Sequence, residues 1–195
     1  LPREGRFATT TEERETAEAH LVDLAATFDA KQLEVLGRKV YAVICPEAAD
    51  AYEGTLTQKR LRAVLDRGGV IGGSSAGASI QSEYMPRGHP LGNTVMAAEG
   101  YERGFGSLPG CAVDQHFFAR KRTADMTGLM KDYPQYLGIG IDEGTAIVVT
   151  GTTAEVIGRT KVAFYDTTKK PDGDKDYEEV PAGEKYDLKE RKKVK

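Results

Sequence analysis

The sequence predicts an α/β fold, a three-layer α/β/α sandwich with helices on both faces of a sheet. One observation is that short apolar runs of strand length alternate with stretches of helical periodicity, with short connections between them. Another is the Gly-x-Ser-x-Gly motif at residues 73–77, whose spacing is typical of a sharp turn from a strand into a helix.

The first part of the chain is expected to begin with a helix. Thr10 or Thr11 can cap it, and glutamates follow at its positive end. Its apolar residues recur at helical spacing: Ala17, Leu21, Leu24, Ala25 and Phe28. Residues 33–36 and 40–44 are predicted to be short strands.

A second helix is predicted over residues 56–67, ending at the two glycines 68–69. Its inward residues are Leu61, Val64 and Leu65. Residues 70–71 are predicted to be a short strand that runs into the turn, with a helix from Ala76. Further along, the patterns predict loops at 86–110, a helix at 123–130, a strand or hairpin at 139–149, two strands around Gly158 within 154–165, a polar turn at 169–175 and a solvated basic tail at 190–195.

Composition favours one soluble globular domain over residues 1–195, since 39% of the residues are hydrophobic and 29% are charged. A formal net charge of −3 argues against a nucleic-acid-binding protein. No apolar run reaches the length of a membrane span. A homodimer is left open.

Two cysteines make neither a disulfide framework nor a zinc site, so we expect Cys45 and Cys111 to be free buried thiols, with a single bridge left open. The three histidines lack metal-ligand spacing, so we expect neither a metal nor an organic cofactor. Because the chain opens at Leu1 without a methionine, we interpret it as a fragment, a processed form or part of a longer chain. A cytoplasmic location is expected, and a secreted form stays open.

Ser75 is the candidate nucleophile. Small neighbours let the backbone take a strained turn with the hydroxyl exposed at its tip, and the N–H of Ala76 would face a developing oxyanion. The alternative is a Gly-rich turn in which a serine merely caps a helix.

A serine nucleophile needs a base, and the base needs an acceptor that orients it. We expect His20 to be solvated and His89 to be a loop residue, which leaves His116 as the candidate base. The alternative for His116 is a buried histidine bonded to its neighbours. The candidate acceptors are Asp142 and Glu143, which follow an apolar segment at an expected strand end.

Three ordered blocks, at residues 73–77, 114–122 and 138–146, resemble the cyanophycinase branch of the serine-peptidase family that also holds peptidase E. The similarity runs from about residue 52 to about residue 166. The resemblance implies a fold like the class I glutamine amidotransferase domain, which is flavodoxin-like. It implies Ser75 as nucleophile, His116 as base and Glu143 as orienting carboxylate. It also implies pocket residues: Asp114, Gln115, Arg120 and Arg122.

The chain departs from this family in three places. Residues 44–50 lack the family's Gly-Gly-Asp/Asn-Gln segment, which supplies an oxyanion donor, and Asp125 stands where a third arginine is expected. The first strand with its Gly-rich turn is not found before Leu1. Either residues are missing from the sequence, or the pocket and the oxyanion hole are altered.

We therefore expect a serine exopeptidase or cyanophycinase-like hydrolase whose substrate is a peptide cut next to aspartate. The resemblance suggests β-aspartyl-arginine polymer or Asp-containing dipeptides. A non-catalytic relative that binds a peptide or partner through the same cleft is the alternative. An amidotransferase-like or esterase-like hydrolase is a weaker one, because amidotransferases of this fold carry a cysteine where Ser75 stands.

Overall fold

The structure is a computed structural model that describes residues 10–12, 15–16, 19, 46–89, 92–169 and 175–194. It divides into two compact units, residues 1–71 and 72–195, which are described separately below. The strands predicted at 33–36 and 40–44, together with His20 and Cys45, lie outside the described residues. The prediction of a single domain over the whole chain stays a prediction.

The first unit contains α1, which spans Pro46–Asp66. It begins ten residues earlier than the predicted helix at 56, because Pro46 suits a first helical turn and an alanine-rich segment follows it. It ends as predicted at the two glycines: Gly68, at φ +79°, donates to Leu65 O, and Gly69 donates to Val64 O. Of the described parts of the predicted first helix, residues 11, 12, 15, 16 and 19 are helical.

The strand predicted at residues 70–71 is wrong, since these residues have no strand conformation. An isolated extended segment becomes a strand only when its backbone groups pair with a neighbour. No described strand pairs with it.

The second unit holds a five-stranded mixed sheet. Its strands, in spatial order, are β1 (Ser82–Tyr84), β2 (Leu108–Gln115), β3 (Leu137–Ile141), β6 (Lys161–Tyr165) and β7 (Glu178–Pro181). Strands β1, β2 and β3 run parallel, whereas β6 and β7 add to the sheet antiparallel. In the β2–β3 pair Gln115 lies beside Ile141, so both strands end at the same edge.

A second sheet of four antiparallel strands belongs to the same unit. Its order is β4 (Thr145–Thr150), β5 (Thr153–Gly158), β8 (Lys185–Asp187) and β9 (Lys192–Val194). The segment predicted as a strand or hairpin at 139–149 thus forms two strands, β3 and β4, in different sheets. The two strands predicted around Gly158 are present as β5 and β6, which also belong to different sheets.

The predicted basic tail is solvated over residues 192–194, but these residues are not a free end, since they pair with β8 as an edge strand. The side chains of β9 are exposed, so the pattern of charges is that of a solvated strand. Charge alone does not distinguish this from a free tail, because an edge strand needs backbone partners and no apolar residues.

The two faces of the mixed sheet are covered differently. On one face α3 (Thr123–Asp132) buries Met126, Leu129 and Met130. The other face packs against the four-stranded sheet, where the rings of Phe164 and Tyr186 stack with centroids 3.9 Å apart. The second unit is therefore α/β with a mixed sheet, and its described part has helix on one face and a sheet on the other.

Cys111 lies in the core between the two sheets and is a free thiol. Burial raises the pKa of this thiol to about 12, which keeps it protonated and unreactive at neutral pH. Within the described segments, no helix is both long and apolar enough to cross a bilayer.

Candidate active site

Ser75 sits on a strained turn directly before α2, which spans Ala76–Ser79. Its φ of 54° lies in the left-handed region, and the N–H groups of Ala78 and Ser79 donate to its carbonyl oxygen. The side chain is exposed and makes no capping hydrogen bond to the helix. The alternative of a serine that merely caps a helix is therefore not what the side chain does.

The first glycine of the motif makes this turn possible. A Cβ atom on Gly73 would lie 2.2 Å from the carbonyl oxygen of Gly77, a backbone atom that cannot move aside cheaply. By contrast, a Cβ atom on Gly77 would meet nothing within 4 Å. The two glycines of Gly-x-Ser-x-Gly are thus not equivalent here, and only Gly73 is required by close approach.

His116 follows β2 directly and contacts both Ser75 and Glu143. The Oγ of Ser75 lies 3.0 Å from Nε2 of His116, and Oε1 of Glu143 lies 2.9 Å from Nδ1. Glu143 comes from the segment after β3, so the parallel β2–β3 register brings the two strand ends together. An ionised carboxylate only accepts hydrogen bonds, so Nδ1 carries the proton and Nε2 is left to accept from the serine hydroxyl.

Solvent reaches all three side chains. The side chain of His116 is 26% exposed, that of Glu143 is 59% exposed, and Ser75 is exposed as well. Water weakens an exposed hydrogen bond of this kind, so it adds little to stability. Its physical effect is to hold the imidazole in one tautomer and one orientation.

Asp142, the other candidate acceptor, has a different partner. Its Oδ1 accepts the backbone N–H groups of Phe118 and Ala119 at 3.0 and 2.9 Å. Asp142 thereby holds the turn that follows His116. The two adjacent carboxylates therefore have different partners: Asp142 binds the backbone of the turn, and Glu143 binds the imidazole of His116.

Phe117 anchors the chain on the other side of the same turn. Its ring is buried against Gly140, where a Cβ atom would lie 2.5 Å from the ring, and its N–H donates to Ile141 O at 3.2 Å. Gly140 in β3 therefore leaves the space that an aromatic residue beside the histidine occupies.

Two of the predicted pocket residues are buried and bonded to one another. The carboxylate of Asp114 is fully buried, and Nη1 of Arg122, whose side chain is 5% exposed, donates to its Oδ1 at 2.7 Å and to Gln115 O at 2.8 Å. Burial lowers the pKa of Arg122, and the neighbouring Asp114 opposes that shift. In this arrangement Nη1 of Arg122 is used by groups of the protein itself, Asp114 and Gln115.

Sequence reasoning missed Arg87, which also binds Asp114. Its Nε donates to the Asp114 carboxylate at 3.1 Å, and its Nη2 donates to Asp125 Oδ2 at 2.6 Å. Arg87 lies in a segment rich in Gly and Pro that predicts only a loop. The signal in the sequence that could have pointed to it is Asp114, a carboxylate within an apolar strand, because a buried carboxylate needs cationic partners.

The other predicted pocket residues differ in exposure. Arg120 is exposed; its backbone N–H donates to His116 O at 2.9 Å, whereas its guanidinium makes no hydrogen bond or ion pair with a described residue. Gln115 is buried, and its Oε1 has no partner in the described part of the chain. The N–H of Ala76 is likewise not used by a hydrogen bond between described residues. The described segments hold no group of three or more potential metal ligands.

Comparison with known proteins gives the family. The model of peptidase family S51 matches residues 49–157, more than half of the chain and all of the segment that carries Ser75, His116 and Glu143. The chain belongs to peptidase family S51.

Relatives of the chain carry the name cyanophycinase. The S51 chain is 36% identical to the cyanophycinase of Geminocystis herdmanii over 57% of its own length and 42% of the relative's. It is 35% identical to that of Trichormus variabilis over 53% of its own length and 36% of the relative's. The matched segment therefore spans less than half of the length of these relatives.

Proposed function

We propose that this S51 chain is a serine peptidase that forms an acyl-enzyme on Ser75. The observation that carries the proposal is the hydrogen-bonded chain from Ser75 Oγ to His116 Nε2, and from His116 Nδ1 to Glu143 Oε1. A nucleophile, a base and an acceptor in this order are the parts that acyl transfer needs.

In the proposed reaction, Ser75 Oγ attacks the scissile carbonyl while Nε2 of His116 takes the hydroxyl proton. Glu143 stabilises the imidazolium that forms. His116 then gives the proton to the leaving amine, and a water molecule attacks the acyl-enzyme with His116 again as base. The N–H of Ala76, at the start of α2, is the proposed oxyanion donor.

The proposed substrate is a peptide or isopeptide with aspartate at the cleaved bond, such as β-Asp-Arg, and the enzyme is proposed to act as an exopeptidase. Support comes from the relatives named cyanophycinase and from the exposed guanidinium of Arg120, which has no ion-pair partner among the described residues and suits a substrate carboxylate. Asp125 is half exposed and suits a basic group, although Arg87 already binds one of its oxygens.

We also propose that the complete fold is the three-layer, class I glutamine amidotransferase-like arrangement. The parallel strands β1–β3, the strained serine turn before α2 and the strand-end site support this. A structure that also describes residues 20–45 would test it.

Hydrolysis of three peptides tests the proposed activity: β-Asp-Arg, α-Asp-Leu and Asp-Glu. The expected kcat/KM is highest for β-Asp-Arg, and Ser75→Ala abolishes turnover while Ser74→Ala, the neighbouring serine of the same turn, leaves it nearly unchanged. Arg120→Ala is expected to raise KM about ten- to a hundred-fold, the value of a charged hydrogen bond.

Turnover by Ser75→Ala at the wild-type rate would refute the nucleophile. Equal kcat/KM for all three peptides, unchanged by Arg120→Ala, would refute the specificity and leave the nucleophile standing. Binding of β-Asp-Arg without any turnover by the wild type would favour the non-catalytic alternative.

One observation already favours that alternative: residues 46–50, where the family resemblance places an oxyanion donor, are helical.

A further inference from the structure

The backbone of His116 needs support that its own side chain does not give. His116 has a φ of 51°, in the left-handed region that side chains with a Cβ atom rarely adopt. Its ring nevertheless reaches two partners at once, Ser75 and Glu143, so a small rotation of the backbone would break one contact or both. Strain of this kind persists only where neighbouring groups fix the chain.

The residue that precedes His116 is held by both of its backbone polar groups. The carbonyl oxygen of Gln115 accepts from Nη1 of Arg122 at 2.8 Å, and the N–H of Gln115, in the peptide unit before it, donates to Oδ1 of Asp114 at 2.9 Å. The carbonyl of Gln115 and the nitrogen of His116 lie in one peptide plane, and the φ of His116 is the rotation of its Cα substituents relative to that plane. A hydrogen bond that fixes the carbonyl of Gln115 therefore limits the rotation of His116.

This support depends on a carboxylate that is completely buried. Oδ1 of Asp114 accepts a hydrogen bond from Nη1 of Arg122, and the same carboxylate accepts one from Nε of Arg87. Arg122 alone would neutralise its charge, but its one hydrogen bond goes to Oδ1 and leaves the buried Oδ2 for Nε of Arg87 to satisfy. Arg87 completes the set, and Asp125 balances the second positive charge through Nη2 of Arg87.

All three nitrogens of Arg87 are used inside the protein. Nε contacts Asp114, Nη2 contacts Asp125, and Nη1 donates to Asn93 O at 2.9 Å, while the side chain is only 5% exposed. In the described structure Arg87 makes no hydrogen bond to Ser75, His116 or Glu143. Its effect on the reaction must pass through the carboxylate.

We propose that Arg87 is a positioning residue, which completes the buried Asp114–Arg122 pair and so fixes the backbone that presents His116 to Ser75. The inference rests on the proposed function. The proposed role of Arg87 differs from a role in stability alone, because loss of Arg87 should slow the acylation of Ser75 in protein that is still folded.

The test is the second-order rate constant for labelling of Ser75 by a fluorophosphonate, with the final stoichiometry of labelling measured alongside. Arg87→Ala removes the whole set of contacts. Arg87→Lys keeps the positive charge beside Asp114 but offers one nitrogen, which cannot replace a fork that spans two carboxylates. Arg103→Lys, an exposed arginine in the segment after β1, is the matched control.

We expect the rate constant to fall about ten-fold in Arg87→Lys and up to about a hundred-fold in Arg87→Ala, at unchanged final stoichiometry, as misplacement of a reacting group by about 1 Å predicts. Arg103→Lys should label at the wild-type rate. With a peptide substrate, Arg87→Lys should lower kcat and leave KM unchanged.

Labelling of Arg87→Lys at the wild-type rate would overturn the inference, whether or not Arg87→Ala folds. A loss seen only in the final stoichiometry would overturn it too, since that result means fewer folded molecules with an intact site. Absence of labelling in the wild type itself would overturn the proposed function, and this inference with it.

Discussion

Ser75 and His116 both hold their side chains on a left-handed backbone and are hydrogen-bonded to each other. Each such positive-φ conformation costs a residue with a Cβ atom about 1–3 kcal/mol. The protein offsets that cost locally: α2 begins directly after the serine, and Asp142 accepts a hydrogen bond from the turn beyond the histidine. The strain lies at the two residues between which the proposed proton transfer occurs.

The carboxylate pair at the end of β3 offers a test at this scale. Glu143→Gln replaces the acceptor of His116 Nδ1 by an amide that can turn its NH₂ toward the ring, so we expect kcat to fall at least about ten-fold through loss of the productive tautomer. Asp142→Asn keeps an oxygen for the N–H groups of Phe118 and Ala119 and should remain close to wild type. Steady-state kinetics on β-Asp-Arg would measure both.

The opposite pattern, with Asp142→Asn slow and Glu143→Gln unaffected, would mean that Asp142 orients the histidine during the reaction. The hydrogen bonds that Asp142 makes to the turn would then have to break in the working enzyme.

At the scale of elements, the turn before α2 separates a required glycine from a tolerant one. Gly73→Ala would place a Cβ atom 2.2 Å from Gly77 O, so the turn has to open; we expect a loss of about 1–3 kcal/mol in unfolding free energy, or a large loss of activity. Gly77→Ala meets open space and should change both little. Urea unfolding and peptide hydrolysis on the two variants make the comparison, and equal behaviour would contradict the close approach.

The pairing of β6 with β7 carries a charge cluster that should make stability depend on pH. Hydrogen bonds from Lys161 and Lys175 lower the pKa of Glu179, which lies in β7. A carboxyl group whose pKa is lower in the folded state stabilises the protein above its unfolded pKa of about 4.3. That contribution is lost as the pH falls through the lower, folded value.

We therefore expect Glu179→Gln to be less stable than wild type at pH 7, by less than about 1 kcal/mol because the cluster is partly exposed. The difference should shrink as the pH falls from about 5 to about 3. Urea unfolding at several pH values measures it. A difference that grows on acidification would mean that Glu179 has the opposite sign of shift.

At the scale of the whole molecule, the segment that carries the site could be predicted far better than its surroundings. The motif at 73–77 and the polar residues at the ends of β2 and β3 could be predicted from the sequence, because polar residues that directly follow an apolar strand are typical of a functional site at a strand end. The choice of Glu143 over Asp142 came only from the family resemblance, since spacing alone does not tell which of two adjacent side chains the turn directs at the histidine.

Neither the second sheet nor the role of Arg87 could be predicted from the sequence, and the reason is related. Strands β4 and β5 show ordinary alternation, but which sheet they join depends on contacts with β8, more than 25 residues away. Arg87 lies 27 residues before its partner Asp114, in a segment with no regular pattern. Long-range pairing of this kind leaves no periodic signal in one sequence.

The most direct test of the central claim, that Ser75 is the nucleophile of a peptidase, is mass mapping of the adduct formed with a fluorophosphonate. We predict one adduct per molecule, on the peptide that contains Ser75, formed by the wild type and by Ser74→Ala. Labelling should be absent in Ser75→Ala and much slower in His116→Ala. An adduct on another residue, or no adduct on a folded wild-type protein, would contradict the claim.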